Sequence, residues 1–274
     1  ITINLFLLIV LLFITTFLIL STIGIETNKF NNFISDKVSQ KKNINLKLNT
    51  IKFKLNPKKL SLFLETENPE ITFKNIFIPI KNIKLYIDFL SLSKKEPKIE
   101  KIILVSKELD ITQLKNLSVI IKPSNFKSLL NNKIKEGKVI SEIEIFLTNQ
   151  GKVKDFIARG TVKDLKAETF SDLNLKKLNL NFFADKYDIL IKNIYGNLED
   201  IYILNGDVKL NLENGIKLKA NFNSKLDLNE KFLNKYHKLF SKYKLNNLKN
   251  LKADFNNIVS IDLDNTYKIK NYNY

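Results

Sequence analysis

A reaction centre needs reactive side chains that converge, and this sequence offers few. It holds a single histidine, His237, between Tyr236 and Lys238, and no cysteine. An imidazole can move protons near neutral pH or ligate a metal. With no thiolate and no second imidazole, a zinc site would have to rest largely on carboxylates. His237 instead reads as an exposed residue at the polar edge of a helix. Glu142 and Glu144 are spaced by two, which puts both carboxylates on one face of a strand. Such a pair could do acid–base work, but lysines alternate in the same way along most of the chain, and a solvated sheet face explains both. No glycine-rich phosphate loop, nucleophile elbow or paired-histidine helix occurs. The expectation is a protein that is not an enzyme, with no catalytic residues, no metal and no cofactor.

Charge is the next candidate for function. The formal net charge is +17 over 274 residues, a balance that normally points to nucleic acid or an anionic membrane. The cations are lysines with one exception, Arg159, whereas phosphate and base recognition favours the planar, bidentate guanidinium. The lysines are also spread through every strand-like run. A Lys-, Asn- and Ile-rich composition is what an AT-rich coding sequence produces, so no nucleic-acid partner is expected.

The elements therefore carry the signal through their apolar residues. Residues 1–25 form an uncharged run whose core is Leu5, Phe6, Leu7, Leu8, Ile9, Val10, Leu11, Leu12, Phe13, Phe17, Leu18, Ile19 and Leu20. About twenty such residues span a bilayer core as a helix, and Ser21-Thr22-Ile23-Gly24 is a poor cleavage site, so an uncleaved anchor is expected over a removed signal peptide. Residues 26–112 read as a β segment with a short leading helix over 27–38. Within it Ile44, Leu46 and Leu48 share one phase and Ile51, Phe53 and Leu55 the next, so the slip at Asn49-Thr50 predicts a bulge or a tight bend. Pro79 fits an edge or the start of a strand.

Residues 113–136 read as a helical insertion split at Pro123-Ser124, its second helix capped at Ser124 or Asn125. Residues 137–228 alternate as a β-meander. Its turns are predicted at Ala184-Asp185-Lys186, Gly196-Asn197, Asn205-Gly206-Asp207 and Glu213-Asn214-Gly215. A basic amphipathic helix is predicted over 229–252, with Phe232, Tyr236, Leu239, Phe240, Tyr243 and Leu248 on one side, and further β structure over 253–274. The fold class is thus mostly β: a transmembrane helix, then a long antiparallel β-meander curled into an open groove, with a few short amphipathic helices.

Because strand side chains alternate between faces, each run is greasy on one side and wet on the other. The candidate groove-lining residues are Leu46, Leu48, Phe53, Leu62, Leu64, Ile143, Ile145, Leu175, Leu178, Leu180, Phe182, Val208, Leu210, Leu212, Ile216, Leu218 and Phe222. An apolar face of this length has to be covered. A second sheet, a helix or the acyl chains of a lipid are the three options.

The order of parts resembles the N-terminal part of the AsmA-like family of envelope proteins, relatives of the repeating-β-groove lipid bridges. The likeness lies in an anchor followed by GIETNKFNNFISDKV, then NINLKLNTIKFKLNPKKLSLFLETENPEI, IFIPIKNIKLYIDFLSL and KIEKIILVSKELDITQLKNL, and more loosely GTVKDLKAETFSDLNLKKLNL. The resemblance implies a single-pass inner-membrane anchor with the bulk of the chain in the periplasm. It also implies a groove for phospholipid acyl chains, phospholipid transport and outer-membrane maintenance, and envelope-protein partners. Two alternatives stand beside it: a scaffold that assists outer-membrane protein assembly by β-strand addition, and a β-jellyroll carrier; a closed sandwich in place of a trough would leave no room for lipid.

Overall fold

The computed structural model describes residues 2–27, 31, 34–36, 44–58, 61–88, 91, 98–119, 125–168, 173–213, 215–235, 249–264 and 268–273. Alternation of β-branched or leucine residues with Lys and Asn lays down strand after strand, and the strands join one antiparallel sheet of 16 that does not close on itself. The mostly-β expectation holds. The chain divides into two units, one comprising residues up to Lys107 together with Glu142–Ile157, the other Glu108–Ser141 with Ala158–Tyr274.

The first unit begins with α1 (Thr2–Thr22), whose hydroxyls fold back onto its own carbonyls: Thr16 Oγ1 donates to Leu12 O at 2.8 Å and Thr15 Oγ1 to Leu11 O at 3.0 Å. That removes bare polar groups from an otherwise hydrocarbon surface. Gly24 ends the helix. Its N–H reaches Ile19 O at 2.8 Å, its φ is +81°, and a Cβ there would sit 2.6 Å from Lys54 Cγ. Strand β1 (Ile25–Thr27) follows at once and pairs with β3 (Ile51–Asn56), Ile25 opposite Phe53. Thr27 is thus in a strand, where a helix start was expected; Asn31 and residues 34–36 are helical, and the rest of the expected 27–38 helix lies outside the described residues.

Next, three ribbons turn a corner together. β2 (Ile44–Lys47) leads into β3, and β4 (Ser61–Glu67) leads into β5 (Glu70–Phe73). The register runs through the break without a slip: Ile51 faces Thr66 below it and Lys47 faces Glu70 above. β6 (Ile76–Ile87) spans the same level, pairing Asn82 with Glu67 and Pro79 with Glu70. The slip read at Asn49-Thr50 is therefore a bend and not a bulge. Asn68 takes φ +47° ahead of Pro69, Asn49 Nδ2 donates to Asn68 O at 3.0 Å, and Asn68 N–H donates to Lys81 O at 2.8 Å. Pro79 sits early in β6 at this corner, where the ladder is interrupted in any case. A two-residue turn, Lys74-Asn75 with φ of +50° and +63°, closes the β5–β6 hairpin. β7 (Ile99–Ser106), the end of β9 (Ile134–Leu147) and residues 153–157 at the start of the next strand complete this unit, Ile102 facing Ile145.

In the second unit β8 (Leu109–Asp110) runs into α2 (Ile111–Ser118), which Asp110 and Gln113 close as a reciprocal capping box. α3 (Asn125–Asn132) follows; Ser124, one of its two expected caps, lies outside the described residues. Then come the long strands β10 (Val153–Glu168), β11 (Asn174–Ala184), β12 (Asp188–Leu198), β13 (Ile201–Asn211), β14 (Ile216–Asn229), β15 (Asn250–Leu263) and β16 (Ile269–Asn273).

Two of the predicted turns are wrong. Gly196-Asn197 lies inside β12, and Asn205-Gly206-Asp207 lies inside β13. The glycines serve close approach instead of reversal: a Cβ on Gly206 would sit 2.8 Å from Phe222 Cβ, and one on Gly196 would sit 2.7 Å from Leu178 Cα. The real β12–β13 turn is Glu199-Asp200, with Glu199 at φ +51°. Asp185 does nucleate its predicted turn, accepting from the Tyr187 and Asp188 N–H groups at 2.8 Å. Of the expected 229–252 helix, α4 (Glu230–Lys235) is helical, while Asn229 ends β14 and β15 already begins at Asn250, with Leu251 opposite Leu228. Residues 236–248, with His237, lie outside the described residues.

The tightest of these packing positions is Gly160 in β10, where an added methyl would overlap the Ile140 carbonyl and stand 2.7 Å from the Phe182 ring. Gly160→Ala is expected to lower stability by about 2 kcal/mol, more than Gly206→Ala does. Urea unfolding midpoints of the two variants in mild detergent test the order.

Candidate apolar binding site

The corner in the first unit makes a cavity. Below the bend, alternate residues of neighbouring strands share one face: Ile51 and Phe53, Leu64 and Thr66, Ile83 and Leu85, Ile102 and Leu104, Ile143 and Ile145. Above the bend, Ile44 and Leu46 of β2 and Ile71 of β5 turn toward the same space, joined by Leu48 from the corner and by Ile34. Its volume is about 270 Å³, and among the described residues Thr66 contributes the only hydroxyl to its lining side chains. Ile51 is 1% exposed and packs with Ile34, Leu46, Leu64 and Ile87.

The opposite face of those strands is held by ions. Glu65 is buried, its Oε2 lies 2.7 Å from Lys54 Nζ, and its Oε1 accepts from Asn82 Nδ2 at 2.6 Å and lies 3.4 Å from Lys84 Nζ. Burial alone would push this carboxyl up. The hydrogen bonds from Lys54 and Asn82 and the charges of Lys84 and Lys54 together outweigh it and hold Glu65 below its ordinary value. Beside it Phe63 and Tyr86 stack with ring centres 5.2 Å apart. Lys101 lies 4.5 Å above the Tyr86 ring and 3.0 Å from Glu144 Oε2. Glu144 is thus a partner in a structural ion pair. This face is not simply wet, since Phe63, Tyr86 and Ile103 form a buried cluster there.

The second unit carries apolar rows that run straight across strands. One passes from Ala184 through Ile189, Leu210 and Leu218 to Ile261; another from Phe182 through Ile191, Val208 and Ala220 to Val259. These residues are half-buried, and among the described residues no second sheet faces them. The row through Leu198, Ile201, Leu226 and Ala253 lies nearer Leu228, which is fully buried. The β11–β12 pairing is fastened at its end by Glu199, whose Oε1 accepts from Asn174 N at 3.0 Å and Nδ2 at 2.8 Å.

Of the residues singled out in the sequence, Leu46, Leu48, Leu64 and Ile145 line the cavity. Phe53, Leu62 and Ile143 share its sheet face, and Leu62 is buried. Phe182, Val208, Leu210 and Leu218 lie in the uncovered rows, Ile216 and Phe222 on the same face of β14. Leu178 and Leu180 face Leu165 and Val162, and Leu175 faces Leu198, with a bulge at Lys177 (φ +53°) between them. Leu212 lies just past the end of β13 and is exposed, its N–H bonded to Tyr187 O. Ile34, Ile44, Ile51, Thr66, Ile71, Ile83, Leu85, Ile102 and Leu104 were not singled out; the alternation of Ile83, Leu85 and Ile87 was the available signal. In α1, residues Leu5 to Phe13, Leu18 and Ile19 are exposed, with Phe17 and Leu20 half-buried. The segment Ile3–Thr22 has mean hydropathy 2.9 and is long and apolar enough to cross a membrane. Among the described residues no group of three or more His, Asp or Glu side chains is placed to hold a metal.

A carboxyl held low in the folded state stabilises the fold above its unfolded pKa, and that stabilisation disappears as pH falls through the folded value. Glu65→Gln is therefore expected to cost about 1–3 kcal/mol at pH 7. The gap between wild type and variant should close as pH drops below about 4.5, the ordinary value for the group. Unfolding midpoints measured from pH 7 to pH 3 check the sign.

No family model, curated protein or solved structure matches this chain, so its function is inferred from the geometry of the sheet.

Proposed function

We propose that this is a membrane-anchored envelope protein whose apolar sheet faces hold phospholipid acyl chains and carry them in lipid transport and outer-membrane maintenance. In this reading α1 is a single-pass inner-membrane anchor and the sheet lies in the periplasm. The observation that carries the reading is the set of half-buried apolar rows that cross the strands of the second unit, on a sheet that is open and has no second sheet beside it among the described residues. At ~25 cal/mol per Å², apolar area left in water is costly, and a large contiguous patch marks a binding surface. The rows contain Leu, Ile, Val, Ala and Phe with no charged group to recognise a headgroup, which suits tails of any phospholipid. The uncharged surface of α1 supplies the membrane end.

Protein purified in mild detergent, exchanged into detergent-free scaffold and extracted, is expected to release phospholipid detectable by mass spectrometry. Val208→Glu with Leu210→Glu puts charge on both rows and should reduce that cargo at least several-fold while far-ultraviolet circular dichroism stays unchanged. Absence of lipid from the wild type defeats the reading.

A further inference from the structure

The last turns of α1 do not stand clear of the first unit. Phe17, Leu20, Ser21 and Gly24 share one face by their spacing, and all four are half-buried or buried where the helix meets β3. Strand β3 runs antiparallel to β1, so it returns past Gly24 toward the helix. Phe53 is level with Ile25, and the strand continues to Asn56 before Pro57 and Lys58 turn it. The neighbouring strands end at the same level: Leu55, Leu62, Ile87 and Ile99 stand in one row across β3, β4, β6 and β7. Beyond that row come the β3–β4 turn and the β6–β7 connection. The β9–β10 turn joins them, because β9 runs down beside β7 with Phe146 opposite Lys101. An α1 embedded as far as Thr22 therefore brings three turns of this unit to the bilayer surface, on the side where the helix emerges.

The charge on those turns is not used up within the unit. Lys58, Lys98, Lys152 and Lys154 stand at or beyond the row, and among the described residues none of the four enters an ion pair. Lys54, Lys84 and Lys101, by contrast, are held by Glu65 and Glu144. Asp88 is the acidic residue described at the β6–β7 connection, and Asp155 follows Lys154. Between Lys152 and Lys154, Val153 is 65% exposed. An apolar side chain with lysines on either side suits the boundary between headgroups and acyl chains, where the valine meets hydrocarbon and the ammonium groups reach phosphate. Resting on the anchor part of the reading above, we propose that this end of the first unit docks on the surface of an anionic phospholipid bilayer. Lys58, Lys152 and Lys154 lie among its headgroups and Val153 at the edge of its hydrocarbon. Each lysine near such a surface is worth about fivefold in attraction, so the contact holds the sheet to the membrane at a second place beside α1.

The sequence has no cysteine, so one introduced thiol takes one label. Val153→Cys and, in a separate chain, Phe77→Cys, which is at the other end of β6 and 52% exposed in the parent, each carry a fluorophore. The full chain is reconstituted through α1 into vesicles of phosphatidylcholine, alone or with phosphatidylglycerol, that contain headgroup spin-labelled lipid as quencher. Position 153 should be quenched about threefold more in the anionic vesicles than in the neutral ones, and added salt should erase the difference. Position 77 should be quenched in neither. Lys58→Glu with Lys152→Glu and Lys154→Glu should abolish the difference at position 153 while the chain still resists carbonate extraction. Equal quenching of position 153 in the two vesicles, or an anionic preference that survives the triple variant or high salt, overturns the proposal and leaves the anchor and acyl-chain carriage standing. So does quenching at position 77 as strong as at 153. A chain that carbonate strips from both vesicles defeats the anchor, and the docking proposal with it.

Discussion

The cavity exists because three neighbouring ribbons bend at the same level without losing register. A sheet bends cheaply only where every interrupted ladder bond finds a substitute. Here Asn49, Asn68 and the Lys81 carbonyl supply the replacements, and Pro69 and Pro79 stand where an amide would have been left over. A one-residue slip in any ribbon would turn its apolar set outward. Because pairing is conserved on both sides, the side chains of β2 and β5 turn toward the residues they continue from in β3 and β4. The fold thereby makes a concave apolar surface from one continuous sheet, with no second sheet among the described residues.

Charge does a different task from the one its total implies. In the first unit the lysines on the back of the cavity are structural: Lys54 and Lys84 hold Glu65, and Lys101 spans Tyr86 and Glu144. Lys84 and Lys101 hold their ammonium groups over the Phe63 and Tyr86 rings, 5.6 and 4.5 Å from the ring centres. A strand that is apolar on one face and ion-paired over aromatic rings on the other has one stable orientation. Glu65, which these ion pairs hold, lies between Leu64 and Thr66 of the cavity wall.

Much of this was legible in the sequence because period-two alternation is a strong signal over long strands. The anchor-like helix, the meander and a bulge or bend at Asn49-Thr50 could be read from it, whereas of the cavity lining only Leu46, Leu48, Leu64 and Ile145 stood out. Glycine misled. Gly196 and Gly206 look like turn residues beside asparagine, yet each lies mid-strand, where a neighbour's side chain or backbone comes too close for a Cβ. The true turn at Glu199-Asp200 has no glycine, and its Glu199 is held instead by Asn174. Leu212 followed the phase of Val208 and Leu210, but phase does not say where a strand ends. Thr66 was invisible: nothing local distinguishes a threonine facing water from one facing a cavity formed by strands that meet only through a shared bend.

The junction between α1 and β1 has a mechanical consequence. Ile23 and Gly24 alone separate the last helical residue from the first ladder residue, and Gly24 is pressed against Lys54 of the adjoining strand. A leash of flexible residues would let a domain drift and spin above a bilayer. This joint has no slack, so an embedded helix that turned about its own axis would swing the sheet with it, like a mast bolted to its sail. The height of the first strand above the hydrocarbon would then be set to within about one residue's rise, and lateral crowding of the helix would be transmitted as torque on the protein outside.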